Sequence, residues 1–184
     1  LALTLAGPTA GSEFRYVLSE DGRSVAGQGS AAVALLPRAD TLVLVVPVRA
    51  LSWHAVKLPP LSAGRQRAAL DGMLEDRLLD DPATLALAMS PQRSPDGNTL
   101  VAACDKSWLA AVLQFFELSG RSASRVVPEL APLADAASGP LLLVASGTPD
   151  EAWLAVADPT AVIGVPLAQA RDLLPTDGHG QIGR

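Results

Sequence analysis

Two stretches of this chain, far apart in sequence, read as the same unit. Leu1-Ala2-Leu3-Thr4-Leu5-Ala6-Gly7 and Leu141-Leu142-Leu143-Val144-Ala145-Ser146-Gly147 are each an apolar strand-like run that stops at a glycine. Two further strand-like runs follow each one. The first pair turns at Glu20-Asp21-Gly22 and the second at Asp158-Pro159-Thr160, both strong turn sequences. A short helix candidate then follows, over 31–36 in the first case and 167–174 in the second. Such a unit has one sheet face to bury, so a duplicated pair of lobes with an insertion between them is one solution. The alternative is that short apolar strands look alike by chance.

The intervening chain alternates between the two hydrophobic periods. Strands are expected at 14–18, 23–26, 41–47, 51–58, 85–89, 99–104 and 125–127, then at 141–145, 152–157 and 162–165. The run over 41–47 is continuous Leu and Val, as in a strand covered on both faces. Residues 62–79 form the clearest helix, with Ser62 as N-cap and an apolar stripe of Ala69, Leu70, Met73, Leu74 and Leu78. A second amphipathic helix spans 106–118, carried by Trp108, Leu109, Val112, Leu113 and Phe116, and Gly120 stops it. Residues 130–137 are a shorter helix candidate, and 91–98 are expected to be a polar loop.

Composition bounds the function. A chain of 184 residues makes one large domain or two small lobes. With 14 basic and 19 acidic residues, a net charge of −5, it lacks the basic face on which nucleic-acid binding depends. Aromatic residues are 4% of the total, so the core is aliphatic, and Trp53, Trp108 and Trp153 are expected as core anchors. The lone Cys104 cannot form an internal disulfide, and its apolar surroundings mark a buried structural thiol. With only His54 and His179 beside it, no metal site is expected. No apolar run reaches the ~18 residues of a membrane span, and there is no signal-peptide pattern. Because the chain starts at Leu1, it reads as a trimmed piece whose membrane anchor, if any, lies outside it.

Groups able to do chemistry are few. Adjacent carboxylates at Glu20-Asp21 and Asp80-Asp81 read as solvated turn and helix-end acids rather than an acid–base pair with split pKa values. Ser52-His54 and Ser107 lack a nucleophile elbow, and no catalytic residue is expected. The helix over 62–81 is more informative. Arg65 and Arg67 sit near its start, and Asp71, Glu75, Asp76, Asp80 and Asp81 lie toward its end. That polarity opposes the helix dipole, which favours anions at the start. A basic partner would relieve it and gain electrostatic steering. Alternatively the face is simply solvated, or Glu75 braces the helix through Arg67 or Arg49.

The strand–hairpin–helix repeat resembles the duplicated ribonuclease H-like lobes of the actin superfamily. The resemblance implies an α/β fold of reduced actin-like lobes, with mixed sheets and flanking helices. A first lobe would occupy 1–140, with an inserted β-α-β subdomain near 51–90, and a second lobe would start at 141–184. That superfamily holds a nucleotide at glycine turns. Leu5-Ala6-Gly7-Pro8-Thr9 and Val144-Ala145-Ser146-Gly147-Thr148 keep the Gly and Thr but lack the metal-anchoring Asp, and Pro8 removes one N–H. These turns therefore read as relics, with no cofactor expected.

Two segments are more specific. VKLPPLSAGRQRAALDGMLEDRLLDDPATLALAM, over 56–89, has a Leu58-Pro59 step, a helix with Arg65, Gln66 and Arg67, then Leu74-Glu75, Leu78 and an acidic cap. GRSASRVVPELAPL, over 120–133, has a Gly stop followed by Val-Pro-Glu. Together they cover about a quarter of the chain and resemble the cytoplasmic domain of protein L of the type II secretion system (GspL). The resemblance implies a non-enzymatic scaffold on the cytoplasmic face of a Gram-negative inner membrane. It would dock the secretion ATPase, protein E, and pair with protein M of the same system through parts outside this chain. A homodimer remains open. The runner-up is an ATP-binding, actin-like assembly protein of the pilus protein M type.

Overall fold

The computed structural model describes residues 1–59, 62–75, 78, 80–94, 96–130, 142–146, 152–157 and 162–170. In chain order the strands and helices are β1 (Glu13–Leu18), β2 (Gly27–Ala32), β3 (Val43–Val46), β4 (Ser52–Val56), α1 (Ala63–Leu74), β5 (Leu85–Arg93), β6 (Thr99–Asp105), α2 (Lys106–Leu118), β7 (Arg125–Pro128), β8 (Leu142–Ser146), β9 (Trp153–Ala157) and β10 (Val162–Pro166).

Residues 1–3 are the centre of the first sheet. Ala2 bridges Val45 in parallel. Leu3 N–H donates to Val45 O and Val45 N–H to Leu1 O, while on the other side Ala2 N–H donates to Arg15 O. β1 pairs antiparallel with β2, and β3 parallel with β7. The order is therefore β2, β1, residues 1–3, β3, β7, a mixed sheet. The expected strand over 1–6 shortens to this one bridge, because Thr4 onward turns away and Thr4 Oγ1 donates to Ala6 O.

α2 covers one face of this sheet. Asp105 caps it, its carboxylate accepting from Trp108 N–H at 2.7 Å. Its end is a Schellman closure: Arg121 N–H donates to Phe116 O, Gly120 N–H donates to Glu117 O, and Gly120 takes φ +69°. All three phenylalanines of the chain meet beneath it. Phe14 lies 5.0 Å from Phe116 and 6.0 Å from Phe115, and Phe115 meets Phe116 edge-on at 5.6 Å. Leu3, Val33, Leu36, Leu44, Val46 and Val112 complete this core. Arg121 straps the helix end to the carbonyls of Leu36 and Pro37.

The second sheet has the order β4, β6, β5, all antiparallel, so it takes in residues 52–105. Each residue of β6 from Thr99 to Cys104 is buried. Alternation explains this: Val101 faces α1 with Val56, Leu58, Leu70 and Leu74, while Leu100 faces Val48, Leu130, Ala155 and Val162. That second core rests on the third sheet, order β10, β9, β8. Gly164 lies in close contact there, where a Cβ would meet Trp153 and Val48 at 3.4 Å each.

The two repeated units share one outline among the described residues. In each an antiparallel strand pair is followed by a short 3-10 turn, β1–β2 before Val33–Leu35 and β9–β10 before Leu167–Gln169, and the second unit adds β8 antiparallel to β9. These turns stand where short helices were expected over 31–36 and 167–174, and residues 171–174 lie outside the described residues.

Three other expectations need correction. The return strand is β2, not 23–26, because Asp21 gathers Arg23 N–H, Ser24 N–H and the Ser19 and Ser24 hydroxyls into a compact loop that delays pairing. β5 runs on through the expected loop to Arg93, its register shifting between Met89 and Arg93, which lets Pro91 sit in an edge strand. α1 stops at Leu74 rather than 79, and Ser62 stands at its N-cap without a side-chain bond. The Asp158-Pro159-Thr160 turn and most of the 130–137 helix candidate lie outside the described residues.

Candidate functional site

α1 buries Leu70 and Leu74 against β4 and β6, which turns its charged residues outward. Arg67 Nε lies 2.9 Å from Asp71 Oδ1, one turn along. Its Nη2 donates to Pro82 O at 2.8 Å and Leu85 O at 3.1 Å. One guanidinium thus clips α1 to the start of β5. Asp71, not Glu75, is its carboxylate partner, while Arg49 lies 5.3 Å from the centre of the Trp153 ring.

Asp81 is also committed to the fold. It begins the 3-10 turn Pro82–Thr84, where its carboxylate accepts from Ala83 N–H at 2.9 Å. Because α1 ends at Leu74, Asp80 and Asp81 do not oppose its dipole. Among the described residues, Asp71 and Glu75 sit in or just beyond the last turn. The seven charged candidates therefore divide. Arg67, Asp71 and Asp81 hold local structure, Arg65, Glu75 and Asp80 are exposed, and Asp76 lies outside the described residues.

The other chemical candidates also resolve into structural roles. Asp21 is held well below the usual carboxylate range by the backbone N–H groups of Ser24 and Arg23 and by the Ser24 hydroxyl. It stays ionised, which suits a loop anchor rather than a general acid. The Ser107 hydroxyl donates to Asp105 at 2.6 Å and, with Trp108 N–H, lowers that carboxyl's pKa. Asp105 and Ser107 are thus the start of α2, a D-x-x-W cap displayed in the sequence itself. Burial, and secondarily the charge of Asp105, raise the Cys104 pKa, as expected of a structural thiol.

Ser52 and His54 come within 3.0 Å because strand alternation places i and i+2 on one face. The Ser52 hydroxyl is exposed at the start of β4, where water rather than preorganised donors would meet a developing charge. At the first glycine turn, Thr9 N–H is taken by the Ser12 hydroxyl at 2.9 Å, which removes it from any phosphate cradle. Gly147 and Thr148 of the second turn lie outside the described residues. Among the described residues no cluster of three or more His, Cys, Asp or Glu could hold a metal ion. None of the described helices is long and apolar enough to cross a membrane.

The sequence profile of type II secretion system (T2SS) protein L matches residues 11–163. The chain belongs to this protein L family. A curated relative, type II secretion system protein L of Pseudomonas aeruginosa, is 37% identical over 79 residues, 43% of this chain. That match spans 20% of the relative's length. Among solved structures, the cytoplasmic domain of EpsL, an inner membrane component of the type II secretion system of Vibrio cholerae, matches all of this chain and 76% of its own, with TM-score 0.67 and 20% identity. A PilM–PilN type IV pilus biogenesis complex matches 89% of this chain and 63% of its own, with TM-score 0.59 and 15% identity. At these identities the two structural matches establish a shared fold, of the expected α/β class, and not the function. Protein L membership also explains why the 56–89 and 120–133 segments stood out: both fall within the matched range.

Proposed function

We propose that this chain is a cytoplasmic scaffold of the type II secretion machinery, docking the secretion ATPase (protein E) to an inner-membrane platform without catalysing a reaction itself. The carrying observation is the protein L match over residues 11–163. The name of the Vibrio cholerae relative, a cytoplasmic domain of an inner membrane component, supports the location. Contact with protein M of the same system belongs to parts outside this chain.

Glu75 and Asp80 are exposed and pinned by no bond described here, so they offer negative charge to a basic partner at little structural cost. Asp71 and Asp81 are less suited to the test, because reversing them would also break Arg67's brace or the Pro82–Thr84 turn.

The test is titration of the purified chain with the N-terminal region of protein E at several salt concentrations. A Glu75→Lys/Asp80→Lys variant should weaken binding about tenfold, roughly 1.4 kcal/mol, and flatten the salt dependence. Unchanged affinity in that variant would remove the acidic surface from the proposal. No binding by the parent chain would remove the docking role altogether. Calorimetry with Mg-ATP covers the pilus protein M type alternative, which tight nucleotide binding would favour.

A further inference from the structure

An aspartate followed by glycine is a step at which a polypeptide can attack itself. The glycine nitrogen closes on the aspartate Cγ, and a residue without a side chain does not shield the approach. This chain has four such steps, at Asp21-Gly22, Asp71-Gly72, Asp96-Gly97 and Asp177-Gly178. The last lies outside the described residues. The fold treats the other three differently. Asp21 commits its carboxylate to Arg23 N–H and Ser24 N–H, both at 2.7 Å, and to the Ser19 and Ser24 hydroxyls. These donors hold it ionised, whereas the attack needs the neutral acid, from which water can leave. Asp71 lies inside α1 with its carboxylate 2.9 Å from Arg67 Nε. The Gly72 nitrogen belongs to the helical hydrogen-bond ladder and is turned away from that carboxylate.

Asp96 has neither protection. It is exposed at the tip between β5 and β6, and its carboxylate makes no hydrogen bond or ion pair among the described residues. Gly97 N–H donates to Ser94 O, Ser94 N–H donates to Asn98 O, and Gly97 takes φ +80°, which closes a tight hairpin loop with glycine in the left-handed position. One turn bond holds the Gly97 nitrogen, and an exposed loop tip opens at far lower cost than a packed helix. We propose that Asp96-Gly97 is a modification site, where the chain forms isoaspartate and presents it to a repair methyltransferase that uses S-adenosylmethionine. Gly97 N bonds to Asp96 Cγ, its proton and the carboxyl hydroxyl leave as water, and a five-membered succinimide closes. Hydrolysis of the new Cγ–N bond restores aspartate. Hydrolysis of the original C–N bond leaves the main chain running through Cβ and Cγ, one carbon longer, with the α-carboxylate hanging free. The methyltransferase moves the sulfonium methyl onto that carboxylate and releases S-adenosylhomocysteine. Gly97 N then displaces methanol, and the succinimide forms again. This inference is independent of ATPase docking, since it concerns a hairpin tip and not the charges around α1.

Trypsin separates the four steps, because cleavage after arginine or lysine puts them on peptides 16–23, 68–77, 94–106 and 172–184. The purified chain is held for several weeks at physiological temperature, digested, and read by mass spectrometry that distinguishes isoaspartyl from aspartyl peptides. Each unit by which a carboxyl pKa falls cuts the neutral fraction about tenfold, so peptide 94–106 should carry at least about tenfold more isoaspartate than peptide 16–23. It should also exceed peptide 68–77. In urea the three should age at similar rates, since each is then an unstructured Asp-Gly step. The aged native chain, given labelled S-adenosylmethionine and an isoaspartyl methyltransferase, should take label on peptide 94–106. Asp96→Glu, which needs a larger ring, should remove isoaspartate from that peptide. Asp96→Asn, whose amide releases ammonia in place of water, should raise it. No isoaspartate in peptide 94–106 after native ageing overturns the proposal. So does a level no higher than in peptides 16–23 and 68–77, or the same pattern in urea as in the native chain. Isoaspartate there that the methyltransferase leaves unlabelled overturns the repair half.

Discussion

Replacing Arg67 with methionine separates the structural side of α1 from its docking side. Methionine keeps most of the aliphatic bulk and deletes three polar contacts. The ion pair with Asp71 joins side chains 43% and 38% exposed, so it contributes about 0.3–0.5 kcal/mol. The bond to Pro82 O is exposed and counts for about 0.5 kcal/mol, below the usual range for a charged donor. The bond to Leu85 O is part-buried and counts for about 1.5 kcal/mol. Arg67→Met should therefore cost about 2 kcal/mol, read as a lower urea midpoint at unchanged slope. Arg67→Lys keeps the charge but loses the planar fork, and should recover less than half of the loss. Glu75→Lys, which breaks no bond described here, should stay within about 0.5 kcal/mol of the parent. If Arg67→Met costs under about 0.5 kcal/mol, water replaces the guanidinium without penalty and the clip does not hold α1 to β5. If it leaves stability intact yet abolishes protein E binding, Arg67 belongs to the docking surface and the division of the charged candidates is wrong.

Two other perturbations probe the cores. Phe116 is fully buried against Phe14 and Phe115, so Phe116→Ala should cost about 3–5 kcal/mol by urea denaturation. A loss below about 1.5 kcal/mol would mean the core beneath α2 collapses to fill the space. Cys104 should react with a thiol reagent far more slowly in the native chain than in urea. Its folded pKa is raised above the ordinary 9.0, so the thiol's contribution to stability is complete below that value and is lost as pH rises through the folded pKa. Stability that increases between neutral pH and pH 10 would contradict this sign.

Local signals carried much of the fold. α2 was legible to the residue because its apolar stripe, its Gly120 stop and the facing core all agree. Where a side chain bonds the backbone beside it, periodicity misleads. Asp21 resembles an ordinary turn residue, yet four bonds to Ser19, Arg23 and Ser24 move the return strand to Gly27. The stripe over 62–79 continues past Leu74, where α1 ends, and Leu78 packs against the same core with its N–H donating to Leu74 O. The spacing of apolar residues reports burial, not the backbone that delivers it.

The sequence by itself pointed to the protein L family and to the position of both main helices. These depend on residue patterns within a short window, where each side chain is compared only with its neighbours along the chain. The tertiary structure alone decided which charges are available. The i,i+4 spacing already allows Arg67 to meet Asp71, but only the folded chain brings the same guanidinium to the carbonyls of Pro82 and Leu85 and leaves Glu75 and Asp80 at the surface. It also decided that residues 1–3 lie between β1 and β3, and that β2 is an outer strand among the described residues. A carboxylate is structural or free according to which donor reaches it, and a strand is central or at an edge according to what pairs beside it. Both depend on parts of the chain that no local pattern contains.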